Sequence, residues 1–353
     1  MTTKVEGPAA PQARGRLSDV RVVRSSDFAA RVRSNGHAKA TAHEIAPDTD
    51  LANAARLLEG FGDRLRYVAP WGEWVWFTGT RWQRDRLAAE LAAKKTAASL
   101  FSGLGEREGQ DRDRMFAWAK RSGMEARIMA MLAIARSDVG VDPGCFDADP
   151  ETLNTPSGTL NLRTLDLRKH NPADLLTKIA GVGYEADATA PRWERFLEEV
   201  FGGDRDLIEW LQRFAGYAAT GHVHERLFVV AHGVGWNGKG TFIGALQHVL
   251  GDYAIEAEPD LLMERGGEVH PTGQADLFRT RLAVLTETEG GKRMDAGVVK
   301  RLTGMDRIRA RRMHENFSEF AATHKFWLGT NHRPDIRQGG DQALRGRRST
   351  DQG

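Results

Sequence analysis

The sequence predicts an α/β core preceded by a mainly helical α+β domain. Three observations point to it. A glycine-rich turn, Gly233-Val234-Gly235-Trp236-Asn237-Gly238-Lys239-Gly240-Thr241, follows the apolar run 227–231 and opens into residues 242–246, which read as a helix. Two further apolar runs end in polar residues: 281–285 leads into Thr286-Glu287-Thr288-Glu289, and 325–329 leads into Thr330-Asn331-His332. Upstream, residues 86–136 carry apolar side chains at helical spacing with charged residues between them.

A chain of 353 residues has room for about two domains. Its 41% hydrophobic and 28% charged content fits a water-soluble globular protein. No apolar stretch is long enough to span a bilayer, and the N-terminus has no signal-peptide core, so a membrane role is not expected. The lone Cys145 excludes an internal disulfide framework and a cysteine-built zinc site, and a reducing cytoplasm is the expected location. Net charge is only +2, so the whole chain is no polycation. Lys300, Arg301, Arg307, Arg309, Arg311 and Arg312 nevertheless cluster, which fits either a phosphate-backbone contact or a solvated charged face.

Residues 1–47 lack apolar periodicity and read as a disordered tail. A helical N-terminal domain is expected over 48–190. Asp50 is the expected cap of a first helix, and after the run 65–68 a small aromatic hairpin is expected over 74–82 around Thr78-Gly79-Thr80. Its tryptophans suit either a small core or a surface on which bases stack. Pro143-Gly144 marks a break, and Leu153 to Leu162 reads as two short strands around a turn. From Pro191 to 353 two more helices lead into the glycine-rich turn and the strands after it. No internal repeat is evident.

Strand, glycine-rich turn and helix is the context of a phosphate-binding loop. Gly233, Gly235, Asn237, Gly238, Lys239, Gly240 and Thr241 form the candidate cradle. Its backbone N–H groups and the helix N-terminus face a phosphate, and Lys239 reaches the β- and γ-phosphates. The usual Ser or Thr after Gly-Lys is Gly240 here, so Thr241 or a water stands in as the magnesium ligand. Glu287 is the candidate for holding the metal or its water shell, and Glu289 for polarising an attacking water, with the two roles interchangeable. Asn331 is the candidate sensor of the γ-phosphate. Between these strands, Lys300, Arg301, Arg309 and Arg311 lie on a segment anchored by Leu302 and Ile308 and turned at Gly304, as expected of a loop that grips one nucleic-acid strand.

Those motifs, in that order, resemble superfamily 3 helicases, in the branch of phage and plasmid primase–helicases and poxvirus-type NTPases. The segments Thr-Asp-Leu-Ala-Asn-Ala-Ala-Arg, Leu-Asn-Thr-Pro-Ser-Gly-Thr-Leu-Asn-Leu and Pro-Arg-Trp-Glu-Arg-Phe-Leu extend the likeness upstream. The resemblance implies a P-loop AAA+-like motor core, ATP hydrolysis with Mg2+ and a hexameric ring on single-stranded or forked DNA. It also implies primase and origin-binding partners in the cytoplasm of a bacterial or phage-infected cell. By motif position Lys239 and Thr241 fall in the nucleotide loop, Glu287 and Glu289 in the acidic motif, Lys300, Arg309 and Arg311 in the DNA-gripping segment, and Asn331 in the sensor. Two departures stand out: no catalytic primase domain is evident ahead of residue 48, and residues 345–353 leave the family pattern. The expectation is therefore a C-terminally truncated motor whose arginine finger is unassigned, with Arg347 and Arg348 the basic residues of that tail. The alternatives are a non-catalytic remnant that binds nucleotide or DNA, and a small-molecule kinase, against which the basic segment argues.

Overall fold

The computed structural model describes residues 46–233, 237–264, 272–286, 293–304, 307–311, 318–331 and 335–336, all within one compact unit, Ala40–Gly353. Its first described helix is α1 (Asp50–Phe61). Thr49, not Asp50, caps it: the Thr49 hydroxyl accepts from Ala52 N at 3.2 Å. Asp50 sits inside the first turn, where its charge complements the positive end of the helix.

Three short strands follow, β1 (Leu65–Val68), β2 (Glu73–Phe77) and β3 (Trp82–Arg84), in an antiparallel sheet of that order. Helices α2 (Arg86–Ser99), α3 (Gly109–Ser122) and α4 (Glu125–Ala135) come next. Strand alternation sends Leu65 and Trp74 to one face, where they pack with Leu57, Ala89, Ala93, Met131 and Leu132. Val68, Val75, Phe77 and Trp82 go to the other face and pack with Phe146. Trp74 and Trp82 are therefore core residues, at 4% and 1% exposure. Arginines lie over aromatic faces, with Arg64 over Trp76, Arg66 over Trp82 and Arg84 over Trp71. A second antiparallel sheet, β4 (Thr152–Thr155), β5 (Gly158–Asn161) and β6 (Leu167–Arg168), matches the strand–turn–strand reading of that stretch.

Helices α5 (Pro191–Val200) and α6 (Arg205–Ala219) lead into β7 (Phe228–His232) and α7 (Lys239–Leu250). After them come β8 (Ala254–Glu256), α8 (Thr272–Ala275), β9 (Leu282–Thr286), β10 (Arg293–Met294), α9 (Ala296–Thr303), β11 (Arg307–Ala310), β12 (Ser318–Ala321), β13 (Lys325–Thr330) and β14 (Asp335–Ile336). Four of the strands form a parallel sheet in the order β7-β13-β9-β8. Both of its faces are covered, which explains the nearly continuous apolar runs. Leu282, Val284 and Trp327 pack against Phe214, Phe242 and Ile243 on one side. Ala283, Leu285, Phe326 and Leu328 pack against Leu262, Leu302 and Phe320 on the other.

In the segment 299–312, which its sequence suggested is a loop, residues 299–303 belong to α9 and residues 307–310 to β11. Leu302 and Ile308 anchor it as expected, both fully or nearly buried. Gly304 has an ordinary φ of −74°, so its turn does not depend on glycine's freedom. Lys300 and Arg301 end up on α9, whereas Arg309 and Arg311 lie on or beside β11.

Two buried cations tie α6 to the starts of the core strands. Lys325 Nζ donates to the carbonyls of Thr220 and His222, and Arg281 donates to those of Ala219 and Thr152. The Ala219 and Thr220 carbonyls lie at the negative C-terminal end of α6, which compensates part of the charge. Burial lowers the pKa of both groups.

At the far end of α7 the N-terminal half grips the core directly. Gly181 N donates to Val249 O at 3.0 Å, Asp252 N to Ile179 O at 3.0 Å, and Ile179 N to Asp252 Oδ2 at 3.2 Å. Arg81 pairs with the same Asp252 carboxylate. The approach is so close that a Cβ on Gly181 would lie 1.9 Å from His248 O.

Candidate functional site

The four core strands run parallel, so their C-terminal ends share one edge, where ligands bind in open α/β sheets. The register is explicit: Thr330 lies beside His232, and Gly329 beside Thr286. Gly233 extends the ladder by donating its N–H to Thr330 O at 3.3 Å. The strand leading to Asn331 therefore lies between the strand feeding the glycine-rich turn and the strand feeding the acidic motif.

Lys239 is the first residue of α7, and Gly238 is its N-cap, left-handed at φ +82°. An L side chain is strained there. A Cβ would also strike the Val200 side chain at 2.6 Å. The C-terminal end of α5 thus packs against the turn that carries Lys239. The Lys239 ammonium donates to Gly233 O and lies 3.5 Å from Asn331 Oδ1. Its partial burial lowers its pKa below the ordinary lysine value. Asn237 Oδ1 lies 3.5 Å from Lys239 N, and Gly240 and Thr241 are exposed in the first turn of α7. Behind the turn, a row of rings runs from Trp193 through Phe242 and Trp327 to Phe214, with centroids 5.4 to 5.7 Å apart. It fixes α5, α6, α7 and β13 to one another.

Lys239, Gly233, Gly238 and Asn331 are thus brought together. Gly235, Glu287 and Glu289 lie outside the described residues, although β9, which leads to both carboxylates, ends at the same edge. The sequence reading missed Glu256. It ends β8 at this edge, where Thr286 Oγ1 donates to Glu256 Oε1 at 2.8 Å. The signal was present: Ala254-Ile255-Glu256 is a short apolar run ending in a carboxylate, as 281–287 is. Among the described residues, no group of three or more His, Cys, Asp or Glu side chains gathers to hold a metal ion.

The basic residues form a separate feature. β11 and β12 are an antiparallel pair, with Arg309 opposite Glu319 and Ile308 opposite Phe320. Ile308, Ala310 and Phe320 turn into the core, while Arg307, Arg309 and Glu319 are exposed. Arg307 and Glu319 form an ion pair at 3.7 Å. Lys300, Arg301 and Arg311 are also exposed.

Known proteins carry the same two segments. Residues 54–202 match the family described as "D5 N terminal like", and residues 231–348 match a family of unknown function, DUF5906. A curated relative, "Putative helicase L207/L206" of Acanthamoeba polyphaga mimivirus, is 24% identical over 218 residues, covering 59% of this chain. The chain spans only 23% of that relative's length. Two solved apo structures of the NrS-1 C-terminal region are each 10% identical, at TM-scores of 0.44 and 0.46. This chain spans 54% and 55% of their lengths, and they cover 76% and 77% of it. Among the described residues no helix is long and apolar enough to cross a membrane.

Proposed function

We propose that this chain is the nucleoside-triphosphatase part of a DNA replication helicase, built on a P-loop, AAA+-like core. The observation that carries the reading is the meeting of Lys239 with Gly233 and Asn331 at the C-terminal edge of the parallel sheet. An ammonium on a helix N-terminus, beside an amide on the neighbouring strand, is a site for anionic phosphate. The mimivirus relative's description as a helicase supports the same reading.

In this mechanism residues 237–241 hold the triphosphate through their backbone N–H groups and the N-terminus of α7. Lys239 neutralises charge on the transferred phosphoryl group, and Asn331 orients it or the attacking water. Thr241 and Glu287 are the candidates for holding Mg2+, which when bound would neutralise phosphate charge. Glu287 or Glu289 accepts the proton of the attacking water. The arginines of β11, with Lys300 and Arg301 on α9, hold the phosphates of single-stranded or forked DNA without reading sequence. We further propose that residues 48–190 and 191–353 work as two parts, that copies assemble into a ring, and that primase and origin-binding proteins are partners.

Hydrolysis of ATP to inorganic phosphate, with and without single-stranded DNA, tests this. DNA-stimulated turnover lost in Lys239→Ala supports it. Phosphate transfer to a small-molecule acceptor instead of water points to a kinase and overturns it. Nucleotide binding without any turnover leaves the non-catalytic remnant.

A further inference from the structure

A cavity of about 350 Å3 lies where the N-terminal sheet meets the β11–β12 pair. Trp71, Arg84 and Asp142 line it from the N-terminal half, and Phe278, Glu319 and Phe320 from the core. Junctions between structural halves are common places for ligand sites, and this volume is in the range of roughly 300 to 1,000 Å3 typical of them.

Its chemistry is specific. Three of its rings adjoin one another: Phe278 meets Trp71 edge-on at 6.3 Å and Phe320 edge-on at 5.3 Å, and behind the lining Trp71 stacks on the buried Phe146 at 5.8 Å. The Arg84 guanidinium sits 4.3 Å over the Trp71 ring, adding a planar cationic layer to the stack. Unstacked bases pack on such guanidinium and aromatic surfaces. Beside the cations Arg84 and Lys178, the lining carries two carboxylates, Asp142 and Glu319. They are suited to accept hydrogen bonds from an exocyclic amino group, as Asp and Glu do from cytosine N4. Position supplies the last element. Glu319, which lines the cavity, is the register partner of Arg309 and the ion-pair partner of Arg307, so the cavity adjoins the arginine face of β11.

We propose that this cavity receives one unstacked, amino-bearing base of the single strand whose phosphates lie along β11. The inference rests on the DNA-binding reading of that strand, and it adds base discrimination to a contact that is otherwise blind to sequence.

The test compares binding of oligo(dC) and oligo(dT) of equal length to the full chain at one salt concentration. Both are pyrimidine strands; cytosine carries the N4 amino group where thymine has O4, and thymine adds a C5 methyl. The expected result is a preference of about tenfold for oligo(dC), the scale of one good base contact. Glu319→Gln and Arg84→Ala, both at exposed positions, reduce that preference to about twofold or less, while Arg309→Ala weakens both ligands equally. Equal binding of the two strands by the parent chain overturns the base pocket and leaves the DNA reading standing. A preference that survives both cavity variants also overturns it. Absence of binding to either strand overturns both proposals.

Discussion

Lys239 Nζ and Asn331 Oδ1 stand 3.5 Å apart although 92 positions separate them in the chain. The parallel pairing of β7 with β13 brings them together, because it puts the residues after His232 and after Thr330 at one edge. An amide there adds directional hydrogen bonding to the point charge of the ammonium.

Asn331→Ala should therefore lower kcat for ATP hydrolysis by about a hundredfold, the scale of losing one positioned polar group, with nucleotide affinity changed only a few-fold. Steady-state kinetics with a separate nucleotide-binding measurement checks the split. An equal loss in affinity and turnover would assign Asn331 to ground-state binding instead.

Gly238→Ala should destabilise the turn by about 2 kcal/mol, combining left-handed strain with overlap onto Val200. The double variant Gly238→Ala/Val200→Ala removes the overlap and keeps the strain, so it should recover part of the nucleotide affinity. Denaturant titration and nucleotide binding, measured on both variants, read the two contributions separately.

Gly181→Ala should destabilise the fold by about 1 to 3 kcal/mol, because the clash is with the backbone carbonyl of His248, not with a movable side chain. Asp252→Asn, which weakens a partly exposed pair with Arg81 and the Ile179 N–H contact to the same carboxylate, should cost about 1 kcal/mol or less. The ranking of the two in thermal unfolding checks that backbone contact, more than charge, joins the N-terminal half to the end of α7.

His324 predicts an acid-side slope in stability. Its imidazole is buried against Phe326, and burial, with the neighbouring Lys325 charge and against a weaker opposing contribution from the Leu302 backbone, holds its pKa at about 3, against an ordinary 6.5. The unfolded chain then binds one more proton than the folded one between those values. Stability falls as pH drops from 6.5 towards 3, by about 1.4 kcal/mol per unit. His324→Phe should leave stability at pH 7 nearly unchanged and remove that one-proton slope. Urea unfolding between pH 7 and pH 4 provides the comparison.

The strands of the core, the left-handed Gly238 ahead of the helix at Lys239 and the apolar runs were legible in the sequence because each is local chemistry. A strand buried on both faces must be apolar along its length, and a backbone that curls must be rich in glycine. The same local logic misassigned the helix cap by one position, since Thr49 and Asp50 are both capping residue types. It read 299–312 as a loop because an exposed helix and an edge strand can share one run of cations.

What the amino-acid order alone determined is the set of elements and the groups they carry: the lysine after the glycines, the asparagine after one strand and the arginines alternating with Ile308 and Ala310. Only the tertiary structure decided which of these meet. Strand order put β13 between β7 and β9, the close approach of Val200 explains why Gly238 must be glycine, and the edge position of Glu256 follows from its pairing with β9. Such pairings depend on contacts between distant residues, whose partners are not written in either segment by itself.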